Sequence, residues 1–454
     1  MDSIKALQQE RNQLFCDLAD GKIPKRVPIS AGLSASVCMQ LAGLPLAETQ
    51  WSLAGLEEAL ELGYRYAKTD TFSYSIVQCP PKLHILGATS YVMSSKGFYQ
   101  YPDTERISAD EYDDLINSPY DFLIEKVLPK IFTALNTDPV SRSLILAKAV
   151  LANMDYQSQI QKISQRIIDK YGFRTSIPGT VAHTNTPFDY IGDFLRGFKG
   201  IMADVRRQPG KVAEACEALL PVMVKRGLPP NPSRYGVTTV TLHLPTYLRE
   251  KDFETIYWPT FSKLVNTLAS YGQPCNCFCE DNWMRYLDYL YELPANTTLM
   301  FEYGDPKIIK DKLGTKHIIA GMYPLNLLKT GTGEQCIDKA KEMLDILAPG
   351  GRYIFGFDKG PLTLNEINID NYLKVLEYVA MNSSYANYGE FTTGAARSSA
   401  AAEVQKADMS PELHLNSKYY VPVDQDDELK LEPYIKHVLR RYEDMLFNLL
   451  VRIS

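Results

Sequence analysis

Between Gly236 and Gly360 the chain repeats one pattern. Short apolar or β-branched segments (GVTTVTLH, PCNCFCE, TTLMFE, KHIIAGMY and RYIFGFD) alternate with amphipathic helical stretches. Consecutive β–α units require parallel pairing, and a parallel sheet must be covered on both faces. Five such units in a row predict half or more of a (β/α)8 TIM barrel, a fold that carries its chemistry at the carboxyl ends of its strands. The residues at those ends are His243, Cys279, Glu280, Glu302, Met322, Tyr323 and Asp358.

The rest of the chain fits around that unit. Residues 1–30 read as an N-terminal helical extension, 31–381 as the barrel, and 382–454 as a polar linker followed by a C-terminal helical tail. Helices are expected over Ser52 to Lys68, as a pair within 140–170, at Phe188 to Gly197, at Lys211 to Arg226, at Asp370 to Met381 and at Leu431 to Val451. Ser108 and Glu111 have capping-box spacing. Pro80 and Pro81 break the β-forming stretch from Thr71 to Gln100, which reads as irregular strands around a loop, and a strand is expected at Arg174 to Ile177.

At 454 residues, one barrel with extensions accounts for the length. A formal charge of −6 without any Lys/Arg block argues against a nucleic-acid partner. No apolar run is long enough for a membrane span, and the charged N-terminus lacks a signal-peptide core. Eight scattered cysteines suggest reduced thiols, so a cytoplasmic location is expected. The long C-terminal helix is compatible with a homodimer.

Four long phrases point to one family: SADEYDDLINSPYDFLIEKVLPKI, DYIGDFLRGFKGIMADVRRQPGKVAEAC, KDFETIYWPTFSKLV and LAPGGRYIFGFDKGPLTLNEINIDNYLKVLEYV. They resemble the uroporphyrinogen decarboxylase superfamily, and within it the corrinoid-dependent methyltransferase branch, including the methyltransferase I components of anaerobic O-demethylases. The resemblance runs from about Lys25 to Ala380 and implies a (β/α)8 barrel. True decarboxylases carry an arginine-rich stretch near the N-terminus for propionate carboxylates. Here that region reads PISAGLSASVCMQ, without arginine. The implied activity is therefore transfer of a methyl group from a small methylated substrate, an aryl methyl ether, to the cobalt(I) of a corrinoid carried by a partner protein. A decarboxylase-like lyase and a non-catalytic binding barrel are the alternatives.

Glu280 and Glu302 correspond to the carboxylates of the O-demethylating members, and Asp358 stands at the position of the family's last-strand ligand. Together they form a candidate zinc site, which would activate the leaving oxygen. Cys277 and Cys279 are an alternative thiolate pair. His243 and Tyr323 are candidate catalytic groups, and Asp70, Tyr74 and His183 are candidate substrate contacts.

Overall fold

The computed structural model describes residues 2–72 and 79–392, together with 415, 417–420, 439, 441–447 and 450–451. A short antiparallel hairpin, β1 (Val92–Met93) and β2 (Tyr99–Gln100), precedes the main sheet. That sheet has six parallel strands in chain order: β3 (Val181–Asn185), β4 (Val237–Leu242), β5 (Cys275–Asn282), β6 (Thr298–Tyr303), β7 (Ile318–Tyr323) and β8 (Tyr353–Phe357). Helices such as Pro209–Gly227, Trp258–Ser270, Pro306–Leu313 and Gly333–Leu347 connect consecutive strands. The five segments of the repeating pattern are thus β4 to β8.

The two faces of the sheet differ. Val240, Leu242, Cys277, Cys279, Leu299 and Phe301 are fully buried toward the helices. The alternate residues Thr239, Asn276, Phe278, Glu280, Met300 and Glu302 lie on the other face and are only half-buried. The register keeps them in rows, with Thr239 opposite Asn276 and Phe278 opposite Met300. One face is therefore dry, and the other borders a hollow.

Backbone bonds continue past both edges of this ladder. Ser30 N donates to Phe355 O (2.8 Å) and Phe355 N to Pro28 O (2.9 Å), so residues 27–31 run beside β8. Asp70 N donates to Ile29 O (2.9 Å), and Arg174 N donates to Asp70 O (2.8 Å). Among the described residues these are isolated bonds, and the continuous ladder ends at β3 and β8.

Several local expectations change. The pair expected within 140–170 is one 33-residue helix, Pro139–Tyr171, capped by Asp138. No glycine or proline interrupts it between Pro139 and Gly172, so nothing stops helix propagation. Pro80 and Pro81 start a helix, Pro80–Leu86, where a missing N–H costs nothing. The strand expected at Arg174 to Ile177 is instead irregular, and β3 begins later, at Val181. The Ser108–Glu111 capping box is present.

The start of the expected polar linker is anchored to the N-terminal segment. Val27 N donates to Ser383 O, Ile23 N to Glu390 O and Thr392 N to Gly21 O. Most of 393–454, including most of the expected terminal helix, lies outside the described residues. No described helix is long and apolar enough to cross a membrane.

Candidate functional site

The site starts at the junction after β3. Thr186 caps the next helix, its Oγ1 accepting from Asp189 N (3.1 Å), and Pro187 occupies the first turn. The helix then widens into a π-helical turn over Ile191–Arg196, a geometry often found at functional sites. Two carboxylates, Asp189 and Asp193, project from this region.

Asp189 is fully buried and joins two strand ends. It accepts from Leu244 N, from the Tyr257 hydroxyl and from Thr186 Oγ1, each at 2.8 Å. Burial pushes its pKa up against those three bonds. By holding Leu244 it fixes the backbone beside His243, at the end of β4. Asp193, on the wider turn, reaches His243 directly, with its Oδ1 2.9 Å from Nδ1. That bond raises the imidazole pKa to about 9 against the opposing effect of burial, and the charges of Asp193, Glu280 and Asp189 add to the rise. His243 is consequently an imidazolium at neutral pH. Its Nε2 has no hydrogen-bond partner among the described residues.

Glu280 ends the regular part of β5 on the same sheet face. The register between β5 and β6 shifts between Cys279 and Asn282, and Asp281 adopts a positive φ of 62°. Such a bulge re-aims strand-end side chains. The buried Trp283 donates from Nε1 to Glu280 O (3.0 Å), fixing that turn. The Glu280 carboxylate is half-buried and has no hydrogen-bond partner among the described residues. Burial raises its pKa, His243 opposes the rise, and Glu302 and Asp193 add to it.

The other proposed carboxylates are occupied. Glu302 accepts from Asp281 N (2.9 Å) and pairs with Lys359 Nζ (2.9 Å). Burial alone would raise its pKa, but those two partners bring it below the ordinary value. Asp358 accepts from Leu325 N (3.1 Å) and Lys359 N (2.8 Å), closing the turn after β8; its pKa is raised, with burial the leading cause. As arranged, Glu280, Glu302 and Asp358 do not fit a zinc ion. Two of the three have oxygens committed to N–H donors, and the Lys359 ammonium stands against Glu302. No group of three potential ligands assembles among the described residues.

Cys277 and Cys279 face the helices, away from Glu280. Both are fully buried, and burial holds both thiols well above their ordinary pKa. That corrects the thiolate alternative, because strand alternation keeps them off the carboxylate face. Tyr323 also requires correction as a catalytic group. It is buried in the helix layer, donating to Cys336 O (2.9 Å), and burial raises its pKa.

Asp70 does not line a pocket. It is 1% exposed, accepts from Ile29 N (2.7 Å), and pairs with Arg26 (2.6 Å) and Arg11 (3.3 Å). It is the centre of a buried ion triad. His183 is exposed on β3, with Nε2 3.5 Å from Thr241 Oγ1. Tyr74 lies outside the described residues.

The structure thus brings His243 and Glu280 together and adds Asp193 and Asp189, which strand-end reasoning missed. The available signal was two acids four residues apart at a helix start directly after a strand. In comparisons with known proteins, no family model matches the chain, and no curated protein matches it significantly.

Proposed function

We propose that this chain is a methyltransferase that takes the methyl group of a small aryl methyl ether and delivers it to a corrinoid on a partner protein. We further infer that residues 27–31 and 69–71 complete the sheet as a (β/α)8 barrel. The bonds from Ser30 to Phe355, from Asp70 to Ile29 and from Arg174 to Asp70 support that closure. The observation that carries the functional reading is the Asp193–His243 pair, a charged imidazolium beside a carboxylate, Glu280, that has no hydrogen-bond partner among the described residues, at the carboxyl ends of parallel strands.

The corrinoid's cobalt(I), brought by its own protein, would supply the nucleophile that accepts the methyl group. This chain supplies the leaving-group chemistry. As the methyl carbon–oxygen bond breaks, its electron pair stays on the ether oxygen. His243 donates its Nε2 proton there, so a neutral phenol leaves rather than a phenolate. Asp193 keeps the ring oriented and charged. Glu280 accepts a hydrogen bond from a hydroxyl neighbouring the ether and orients the substrate. Solvent returns the proton to His243.

The rim suits a partner. Tyr247, Tyr303 and Leu362, which follow β4, end β6 and follow β8, are 53%, 62% and 68% exposed. Aromatic and aliphatic surface at the mouth is what a docking protein would cover.

Purified full-length protein should be assayed with a panel of methoxylated phenols and benzoates, with cob(I)alamin as acceptor. Methyl transfer that collapses in His243→Gln supports the reading. Absence of transfer from every substrate refutes it. Stoichiometric zinc by elemental mass spectrometry, lost in a Glu280→Ala/Glu302→Ala variant, would reassign leaving-group activation to a Lewis acid.

A further inference from the structure

A cavity of about 1610 Å³ lies at the opposite end from His243 and Glu280. It opens among the amino-terminal ends of the strands, below Thr239, Asn276 and Met300. Its size follows from the inner-face residues. Positions that a filled barrel would give to branched side chains are here Ala320, Gly321 and Gly356. At Gly356 a Cβ would meet Ser30 O at 2.7 Å, so that position cannot be filled without moving the backbone. Phe15 and Cys16 of the first helix (Asp2–Ala19) and Phe391 close the floor.

The walls carry uncompensated positive charge. Arg352 is 3% exposed, and its Nη1 donates to Asn296 Oδ1 and Lys316 O, both neutral acceptors. Its Nε is buried without a partner, and no carboxylate pairs with it among the described residues. Burial lowers its pKa. The neighbouring Lys310 is pushed down to about 8, by burial first and then by Arg352 itself. Arg174, half-buried, stacks on Phe15 at 4.2 Å and likewise has no carboxylate partner among the described residues. Between them on the inner face, the amide oxygen assigned to Asn276 is buried and unpaired. Arg234, by contrast, is neutralised by Asp20 at 2.9 Å.

Buried charge without a counter-charge is costly, and a guanidinium fork matches a carboxylate or phosphate geometrically. We propose that this cavity is a second small-molecule site, taking an organic anion whose carboxylate or phosphate group is held by Arg352 and Arg174. The hollow is larger than an inorganic anion requires, and Met300, Ile318 and Ile354 supply apolar wall, so the ligand has an apolar body. The site is independent of the methyl-transfer cluster.

Hexanoate and hexyl phosphate serve as probes for titration calorimetry on the full-length protein. One molecule of at least one probe per chain is expected to bind saturably, about tenfold more weakly in Arg352→Gln and in Arg174→Gln. His243→Gln should bind the probe as wild type does, which separates this site from the proposed active site. Asn276→Leu keeps the volume, removes an unpaired amide and leaves both arginines in place. It should fold and lose polar contact with the probe, weakening binding even if an arginine variant does not fold. Binding of only one probe would identify the anion as carboxylate or phosphate. Failure of wild type to bind either probe saturably overturns the proposal, as does binding that is unchanged in Asn276→Leu and in every arginine variant that folds.

Discussion

Replacing Asp193 by Asn keeps the side chain's shape and removes the charge that holds His243 protonated. The bond is short, 2.9 Å, and is the leading cause of an imidazole pKa of about 9. Without it, burial, which disfavours the charged ring, outranks the individual pulls of Glu280 and Asp189, so the pKa should settle near or below the ordinary value of about 6.5. At pH 8 the wild-type ring is about nine-tenths charged, against about 3% or less in the variant. If the imidazolium is the proton donor, methyl transfer at pH 8 falls about 30-fold or more. At pH 6 the variant ring regains much of its charge, and the loss should shrink to about fourfold or less. Initial rates over this range, with the His243 titration followed by NMR on ¹⁵N-histidine-labelled protein, test the argument directly. An equal loss at pH 6 and pH 8 would refute it, because Asp193 would then act through geometry alone.

Three further outcomes are expected. Because the folded-state pKa of His243 is raised, its stabilising contribution is full below about pH 6.5 and disappears as pH rises through about 9. Allowing for the screening of a ring that is 41% exposed, unfolding free energies of wild type and His243→Gln from denaturant melts should differ by about 1–2 kcal/mol at pH 6 and converge by about pH 10. Asp70→Asn leaves Arg26 and Arg11 buried without a full counter-charge and should destabilise the fold by about 3–5 kcal/mol in urea melts, with turnover per folded molecule unchanged. Tyr323→Phe loses its bond to Cys336 O, which should lower stability by about 1 kcal/mol and leave the methyl-transfer rate unaltered in the same assay.

The sheet was readable from sequence where its strands were apolar and evenly spaced, as in β4 to β8. It was unreadable at β3, where VAHTN is short, polar and only partly buried. Prolines misled at 80–81, because their effect depends on whether they stand inside a helix or in its first turn. Strand-end logic located His243 and Glu280 through one structural rule. The role of Asp193 depends on a π-helical turn and on contact between two β–α units, neither of which follows from local periodicity. Tyr323 misled for a related reason: β7 is buried at every position, so its pattern does not distinguish inward from outward.

The row of sulfurs on β5 has a practical consequence. Seven of the eight cysteines are buried, and Cys16 alone is partly accessible. With those seven thiols covered, their reaction with a water-soluble disulfide reagent requires the chain to open first. One sulfur should react at once and the rest only as the sheet separates from its helices. The slow phase would then time the opening of the protein's centre without any added label.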